Sequence, residues 1–414
     1  MKFYRKGKDM AVTYNGFIPE AENRIRNALK GIINSGFVPG NGVIVGRRGE
    51  KAFELYEGKA NADRGTDVGP DTIFRMYSMT KILTVASVMQ LWDSGIIRLN
   101  DKLSDFISEF EDVKVAEHTG PGQYMIRNPE REIRVYDLLT MTSGIPYDST
   151  GPTGEGISYI VERWKNDRKC GDDWDTLKVA REIAKVPLLF DPGKYFQYGL
   201  SHDILGAVIE VVTGKNLYEY MKENLFEPLG MKDACFEIND RNRLRIAEEY
   251  GIEGKPRTGI DSEIIDCMKY EDPKFYSGGA GLLGTADDYF RFARMLANNG
   301  MVDGIRVLSR KAIEMMRTPQ LNTRQLTTYN SYSEDPNNIY RGYNYGFGVR
   351  VCTKPGISAV ANSLGEYGWA GALGTWVFID PQEELFAVYV HQKTPVEHEE
   401  YVPQIIGAIY SSLE

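Results

Sequence analysis

Histidine is scarce in this chain: its 414 residues carry four, His118, His202, His391 and His398. They offer no metal-ligand spacing and no G-x-S-x-G elbow accompanies them. Neither a histidine-built metal centre nor a Ser-His-Asp hydrolase is therefore expected. Cysteine is equally sparse. Cys170, Cys235, Cys267 and Cys352 are scattered without a C-x-x-C, and read as free thiols of a reducing compartment rather than a disulfide framework. No apolar run approaches transmembrane length, and the basic start "MKFYRKGKDMAVTYNGFIPE" lacks the apolar stretch of a signal peptide. The expected compartment is the cytoplasm, with no membrane partner. An excess of positive charge is missing too. The 49 basic and 58 acidic residues leave a formal charge of −9, which repels nucleic-acid phosphates, and no basic stripe offsets it.

What is present fits a globular protein, with 42% hydrophobic and 26% charged residues. The length suffices for two domains, or for one large core with a cap.

Ser78-Met79-Thr80-Lys81 is the most informative stretch. The segment "FRMYSMTKILTVASVMQLWDSGII" is apolar and helix-permissive from Ser78 to about Trp92, and Gly95 follows where a left-handed cap belongs. Residues at i and i+3 share a helix face, so Ser78 and Lys81 should point the same way. A serine hydroxyl needs an adjacent base to attack a carbonyl, and a desolvated lysine can be that base. Four residues with two fixed recur by chance, so the weight falls on partners downstream.

Two partners follow. In "LLFDPGKYFQYGLSHDILGAVIEVVTGK" a Pro192-Gly193 turn leads through aromatics to Tyr198, and a helix from about His202 to Val212 is closed by Gly214. A phenol at Tyr198, just before a helix, can project into a cleft and share a proton with Lys81. Alone, such a tyrosine is usually packing. Further on, Trp369-Ala370-Gly371 precedes two β-runs, "GTWVFID" and "LFAVYVHQ", joined by a turn at Pro381 to Glu384. Small residues at 370 to 372 admit a substrate to the strand edge, and the N–H of Ala372 can serve as an oxyanion donor beside that of Ser78. The bland alternative for such a strand is a bulge or a close backbone crossing.

Ser78-x-x-Lys81, Tyr198 and Trp369-Ala370-Gly371 resemble, in this order, the three motifs of the penicillin-recognising serine hydrolases. Flanking text agrees: "TIFRMYSMTK", "VYDLLTMTSGIP", "LGAVIEVVTGKNLYEYMKENLFEPLGMKDACF" and "FYSGGAGLLGTADDYFRFARML". The chain is similar to the class C β-lactamase branch, which includes the family VIII carboxylesterases and D-amino-acid-specific peptidases, from about residue 20 onward. The resemblance implies a β-lactamase/transpeptidase-like α/β fold, an antiparallel sheet flanked by helices with an inserted, mainly helical domain. It implies no metal and no cofactor.

The departures narrow the chemistry. β-Lactamases of this branch have Tyr-x-Asn where this chain has Tyr198-Gly199-Leu200, and Leu200 cannot hydrogen-bond an amide. They have Lys-Thr-Gly where this chain has Trp369-Ala370-Gly371, which removes a cation that would pair with a substrate carboxylate. A large aromatic wall replaces it, as in the esterase members.

Elsewhere, Pro19 to Ser35 has helical spacing, and "GNGVIVGRRGEKAFELYEGKAN" reads as a hairpin turning at Arg47 to Glu50. "VYDLLTMTSG" and "DTLKVAREIAKV" are helical, and "YGFGVRV" is a strand. The polar stretch from Tyr147 to Asp173, flanked by Trp164 and Trp174, is expected to arch over the pocket, and Thr318 to Asn344 is a second polar insertion. Strands near both ends imply one sheet built from both termini: residues 1–75 and 290–414 as a discontinuous α/β domain, residues 76–289 as the helical one, and the active site between them. Gly279 to Gly284 matches G-x-G-x-x-G, but "EDPKFYS" before it is turn-like, so a dinucleotide site is rejected. Asp287 and Asp288 should charge a helix start capped by Thr285, and His202 is expected at the surface.

The sequence thus points to a serine hydrolase of the carboxylesterase type working through an acyl-Ser78. Lys81 takes the proton, Tyr198 relays one to the leaving group, the N–H groups of Ser78 and Ala372 hold the oxyanion, and Trp369 and Gly371 shape the substrate site. The partner is a small ester or amide. The alternatives are a D-amino-acid amidase or peptidase, a weak β-lactamase, or a non-catalytic binding or sensory module keeping only the fold. Ser78, Lys81 and Tyr198 together favour catalysis, since a pure binder has no need of all three.

Overall fold

Two ends of the chain meet in one antiparallel sheet. In the computed structural model, which describes residues 15–147, 149–251, 273–331 and 339–414, the sheet has eight strands. Their order is Tyr343–Tyr345, Arg350–Cys352, Tyr367–Ala370, Trp376–Asp380, Leu385–Val390, Gly40–Arg47, Glu50–Asn61 and Thr66–Asp67. The register pairs Val45 with Ala387 and Val377 with Val388, so the first long strand docks beside the last.

Alternation decides what each face covers. Leu385, Ala387 and Tyr389 join Val43 and Val45 in a core under the helices Ala21–Asn34 and Val402–Tyr410. Phe386, Val388 and Val390 join Ile44 in the larger core on the other face. These strands are apolar at successive positions because helices cover both sides. The helix Ala286–Ala297 lies on the second face, where Phe290 stacks on Phe386 with ring centres 5.0 Å apart. Behind it, the helices Thr80–Asp93 and Ser201–Thr213 pack together in the same core. Residues Thr80 to Met89 are all buried, as expected for a helix apolar all round.

Local signals are obeyed. The hairpin turns at Arg48-Gly49, and Gly36, Gly95 and Gly214 take the left-handed conformation just after their helices. The Thr285 hydroxyl accepts from the Asp288 N–H at 3.1 Å, and the Asp288 carboxylate accepts from the Thr285 N–H at 3.1 Å, a reciprocal cap. Leu283–Thr285 pairs with Ile73–Arg75 in a short ribbon, after turn-like residues, as the rejected dinucleotide pattern required.

Two expectations are corrected. Gly151–Lys169 is a helix, and Trp164 and Trp174 are buried in the large core rather than arching over the pocket. Apolar spacing at Ile157, Ile160, Val161 and Trp164 hides inside a polar composition. His202 is not at the surface: it is fully buried on the helix that follows Tyr198. In the second polar insertion, Thr323–Ser331 is helical. The N-terminal residues 1–14, Cys267 and residues 332–338 lie outside the described residues. Among those described, no helix is long and apolar enough to cross a membrane.

Candidate active site

The strand Ile73–Arg75 feeds directly into the turn that carries Ser78. Tyr77 takes a positive φ of 43°, an unfavourable conformation for a bulky residue, and the short 3₁₀ turn Tyr77–Met79 then runs into the helix Thr80–Asp93. Ser78 and Lys81 do share a face. The Lys81 ammonium donates to the Ser78 hydroxyl at 3.2 Å, to the Tyr147 hydroxyl at 2.7 Å and to the Gly279 carbonyl at 2.7 Å. These use all three donors of an ammonium that is completely buried.

Tyr147 is the residue that sequence reasoning missed. It stands right after "VYDLLTMTSGIP", whose Met141 has a positive φ of 56°. Its phenol is held well above its ordinary pKa by burial, with Tyr198 and Asp203 adding to the effect. No spacing rule ties residue 147 to residue 81; only the fold does.

Tyr198 arrives where its motif places it, beside the same lysine, but in another contact. The Lys81 ammonium lies 4.7 Å from the centre of the Tyr198 ring, and the Tyr198 hydroxyl accepts from the Trp369 indole N–H at 3.0 Å. The two tyrosine rings meet edge to face, 5.6 Å between centres. Trp369 is on the strand Tyr367–Ala370, half buried against Tyr198, Tyr340 and Tyr345. Leu200 stands where the Asn of the β-lactamase motif would be. It is buried in the large core and does not line the cavity, so it is packing rather than a substrate contact.

The chain crosses closely at Gly371. A Cβ there would sit 2.4 Å from the Met76 carbonyl oxygen, so only glycine lets this segment lie against the turn bearing Ser78. The Gly371 N–H donates to the Thr375 carbonyl at 2.7 Å, whereas the N–H of Ala372 makes no hydrogen bond among the described residues. A cavity of about 450 Å³ opens beside Ser78 and Ala372. Phe196, Tyr198, Tyr329, Tyr340 and Trp369 form its walls, and Glu397, His398 and Glu399 stand at its edge. Glu397 is paired with Lys393 at 2.5 Å, and burial first, then Arg350, pushes the His398 imidazole down to about 3, so it is neutral. Among the described residues no lysine or arginine lines the cavity. Among the described residues no group of histidine, cysteine, aspartate and glutamate side chains is arranged to hold a metal ion.

The comparisons agree with this architecture. The Beta-lactamase family model matches residues 24–408. Protein Rv1367c of Mycobacterium tuberculosis is 32% identical over 372 residues, 89% of either chain. Esterase EstB of Burkholderia gladioli is 28% identical over 356 residues, 81% of either chain. Among solved structures, EstCE1, described as a hydrolase with promiscuous acyltransferase activity, superposes with a TM-score of 0.76 at 23% identity, covering 94% of this chain and 98% of its own. With a family model spanning nearly the whole chain and the same fold in its neighbours, this protein belongs to the Beta-lactamase family.

Proposed function

We propose that the chain is a serine hydrolase of the carboxylesterase type, cleaving small esters through an acyl-Ser78 intermediate. The observation that carries it is the buried Lys81 amine set between the Ser78 and Tyr147 hydroxyls at the edge of an aromatic cavity. In this reading Ser78 Oγ attacks the ester carbonyl and its proton passes to Lys81 as the neutral amine, which the Tyr147 hydroxyl holds in place. The N–H groups of Ser78 and Ala372 receive the oxyanion. Tyr198 accepts from Trp369, so its own proton is free to reach the departing alcohol, and the proton taken from Ser78 then restores the phenol and frees the base. Water then repeats the sequence on the acyl-enzyme and regenerates Ser78.

The cavity favours an ester over a penicillin. Its walls are aromatic and the charged groups that line it, among the described residues, are the carboxylates of Glu397 and Glu399, so a substrate carboxylate finds no cation in the lining. Esterase EstB, among the relatives, supports the same substrate class. Residues 1–75 and 290–414 serve in this reading as one domain and residues 76–289 as the other, with Ser78 where they meet. Free Cys170, Cys235 and Cys352 support a reducing compartment such as the cytoplasm.

Mass spectrometry after exposure to a short acyl ester, an activated phosphonate and a penicillin tests the proposal. The expected result is an adduct on Ser78 from the first two. No adduct on Ser78 from any of them would overturn it.

A further inference from the structure

We propose that Asp203 is a positioning residue for Lys81, acting through the backbone of Gly279 and through its charge; this rests on the hydrolase reading above. Asp203 is in the first turn of the helix Ser201–Thr213, five residues after Tyr198, and is buried. Its Oδ1 accepts the Ser277 hydroxyl at 2.5 Å and the Gly279 N–H at 3.1 Å. The carbonyl of that same Gly279 accepts from Lys81 at 2.7 Å. One residue of backbone therefore joins the carboxylate to the lysine, with a donor on one side and an acceptor on the other.

The rest of the segment is tied down so that this link is stiff. The Ala280 N–H donates to Ser277 Oγ at 2.9 Å, the Thr84 hydroxyl to the Gly278 carbonyl at 2.7 Å, and the Leu282 N–H to the Thr80 hydroxyl at 3.0 Å. A Cβ on Gly279 would stand 2.5 Å from Asp203 Oδ2, so the backbone approaches the carboxylate as only glycine can. The glycine-rich run rejected as a dinucleotide site thus has an occupation: it carries the lysine's acceptor.

Charge is the second part. The titratable groups set around Lys81 are Tyr147 from the turn after Pro146, Tyr198, and His202 and Asp203 from the helix, with Tyr345 from the sheet behind the tyrosines. Burial and then the Lys81 charge hold the His202 imidazole well below its ordinary pKa, so it is neutral. Asp203 is raised by burial, while Lys81 and the donors Ser277 and Gly279 pull it back. Asp203 is thus a buried carboxylate facing this group, and among the described residues no ion pair joins it to Lys81 directly. A nearby anion favours the protonated state of the base. Removing its charge makes the base available at lower pH.

The test uses the full chain with p-nitrophenyl acetate, and a fluorophosphonate to label Ser78. Asp203→Asn keeps an Oδ1 acceptor for Ser277 and Gly279 while it loses the charge and turns Oδ2 into an NH2 donor, whereas Asp203→Ala loses acceptor and charge. Expected for Asn is a fall in kcat/KM of about tenfold with the acidic limb of its pH profile displaced to lower pH, and for Ala a fall of about a hundredfold, carried by kcat rather than KM. A packing role alone would move the melting temperature and leave the limb in place. Wild-type protein labelled at Ser78, together with an Asp203→Asn enzyme whose limb is unmoved, overturns the role of Asp203 alone. That variant decides the matter even if Asp203→Ala fails to fold. Wild-type protein that takes no label at Ser78 overturns the hydrolase reading instead.

Discussion

Trp369 gives its single side-chain proton to Tyr198: the indole N–H meets the phenol oxygen at 3.0 Å, with the ring centres 5.5 Å apart. An indole can donate and cannot accept, so the direction of this bond is fixed. The phenol must therefore send its own proton elsewhere, and a donor on its oxygen stabilises the partial negative charge it gains while giving that proton up. Trp369 is thus a wall of the cavity and a director of Tyr198 at once.

Trp369→Phe separates these two roles, because it keeps the wall and removes the donor. It should lower kcat on a short aryl ester by about tenfold while leaving KM within about twofold, the loss of one hydrogen bond to a group that changes charge. Steady-state kinetics decide it. A raised KM with unchanged kcat would reduce Trp369 to a binding surface.

In the proposed mechanism Tyr147 and Tyr198 divide the work that the sequence assigned to one tyrosine. Tyr147 holds the Lys81 amine at 2.7 Å, and Tyr198 faces Trp369. Tyr147→Phe should lower kcat/KM by about a hundredfold, the scale of acid–base catalysis. Lys81→Ala should be comparably damaging, and the double mutant much less than multiplicative, since residues that act as a unit are not additive. A double-mutant cycle on one activated ester measures this. Strictly multiplicative losses would show two separate roles.

Why was Tyr198 legible and Tyr147 not? Ser78 and Lys81 are three residues apart on one turn, so local geometry already brings them together. Tyr198 announced itself by its turn and helix, and the hairpin, caps and paired C-terminal strands by period and punctuation. Tyr147 meets Lys81 across 66 residues of chain, and the Gly279 carbonyl across 198. Such contacts are made by packing of whole elements and leave no local pattern. His202 misled for the same reason: polarity says surface, whereas its place in the buried first turn of the helix Ser201–Thr213 says interior.

Substrate preference follows from the charge of the cavity. Short-chain aryl esters should be turned over with kcat/KM at least about a hundredfold above that for penicillins and cephalosporins, since the latter bring a carboxylate to a cavity whose charged lining, among the described residues, is Glu397 and Glu399. Comparable values for the two substrate types would replace the esterase reading with a β-lactamase one. Ser78→Ala should abolish both activities, by about a thousandfold or more, with the melting temperature unchanged.

Acid stability should depend on Asp191, in the turn that leads to Tyr198. Its carboxylate is nearly inaccessible and takes two bonds from the Arg127 guanidinium, at 2.8 and 2.6 Å, with a third from the Glu130 N–H at 2.9 Å. The Arg127 bonds hold the carboxyl down at about 2 against the opposing effect of burial, below the ordinary 3.8. The folded state therefore binds this proton less readily than the unfolded one. Its contribution to stability is complete above the ordinary carboxylate range and disappears as pH falls from about 4 towards 2. Asp191→Asn should cost about 2 kcal/mol at neutral pH, and the difference from wild type should shrink as pH falls through that window. Urea midpoints across that range measure it. A deficit of constant size at every pH would mean that the substitution disturbs packing rather than a titrating ion pair.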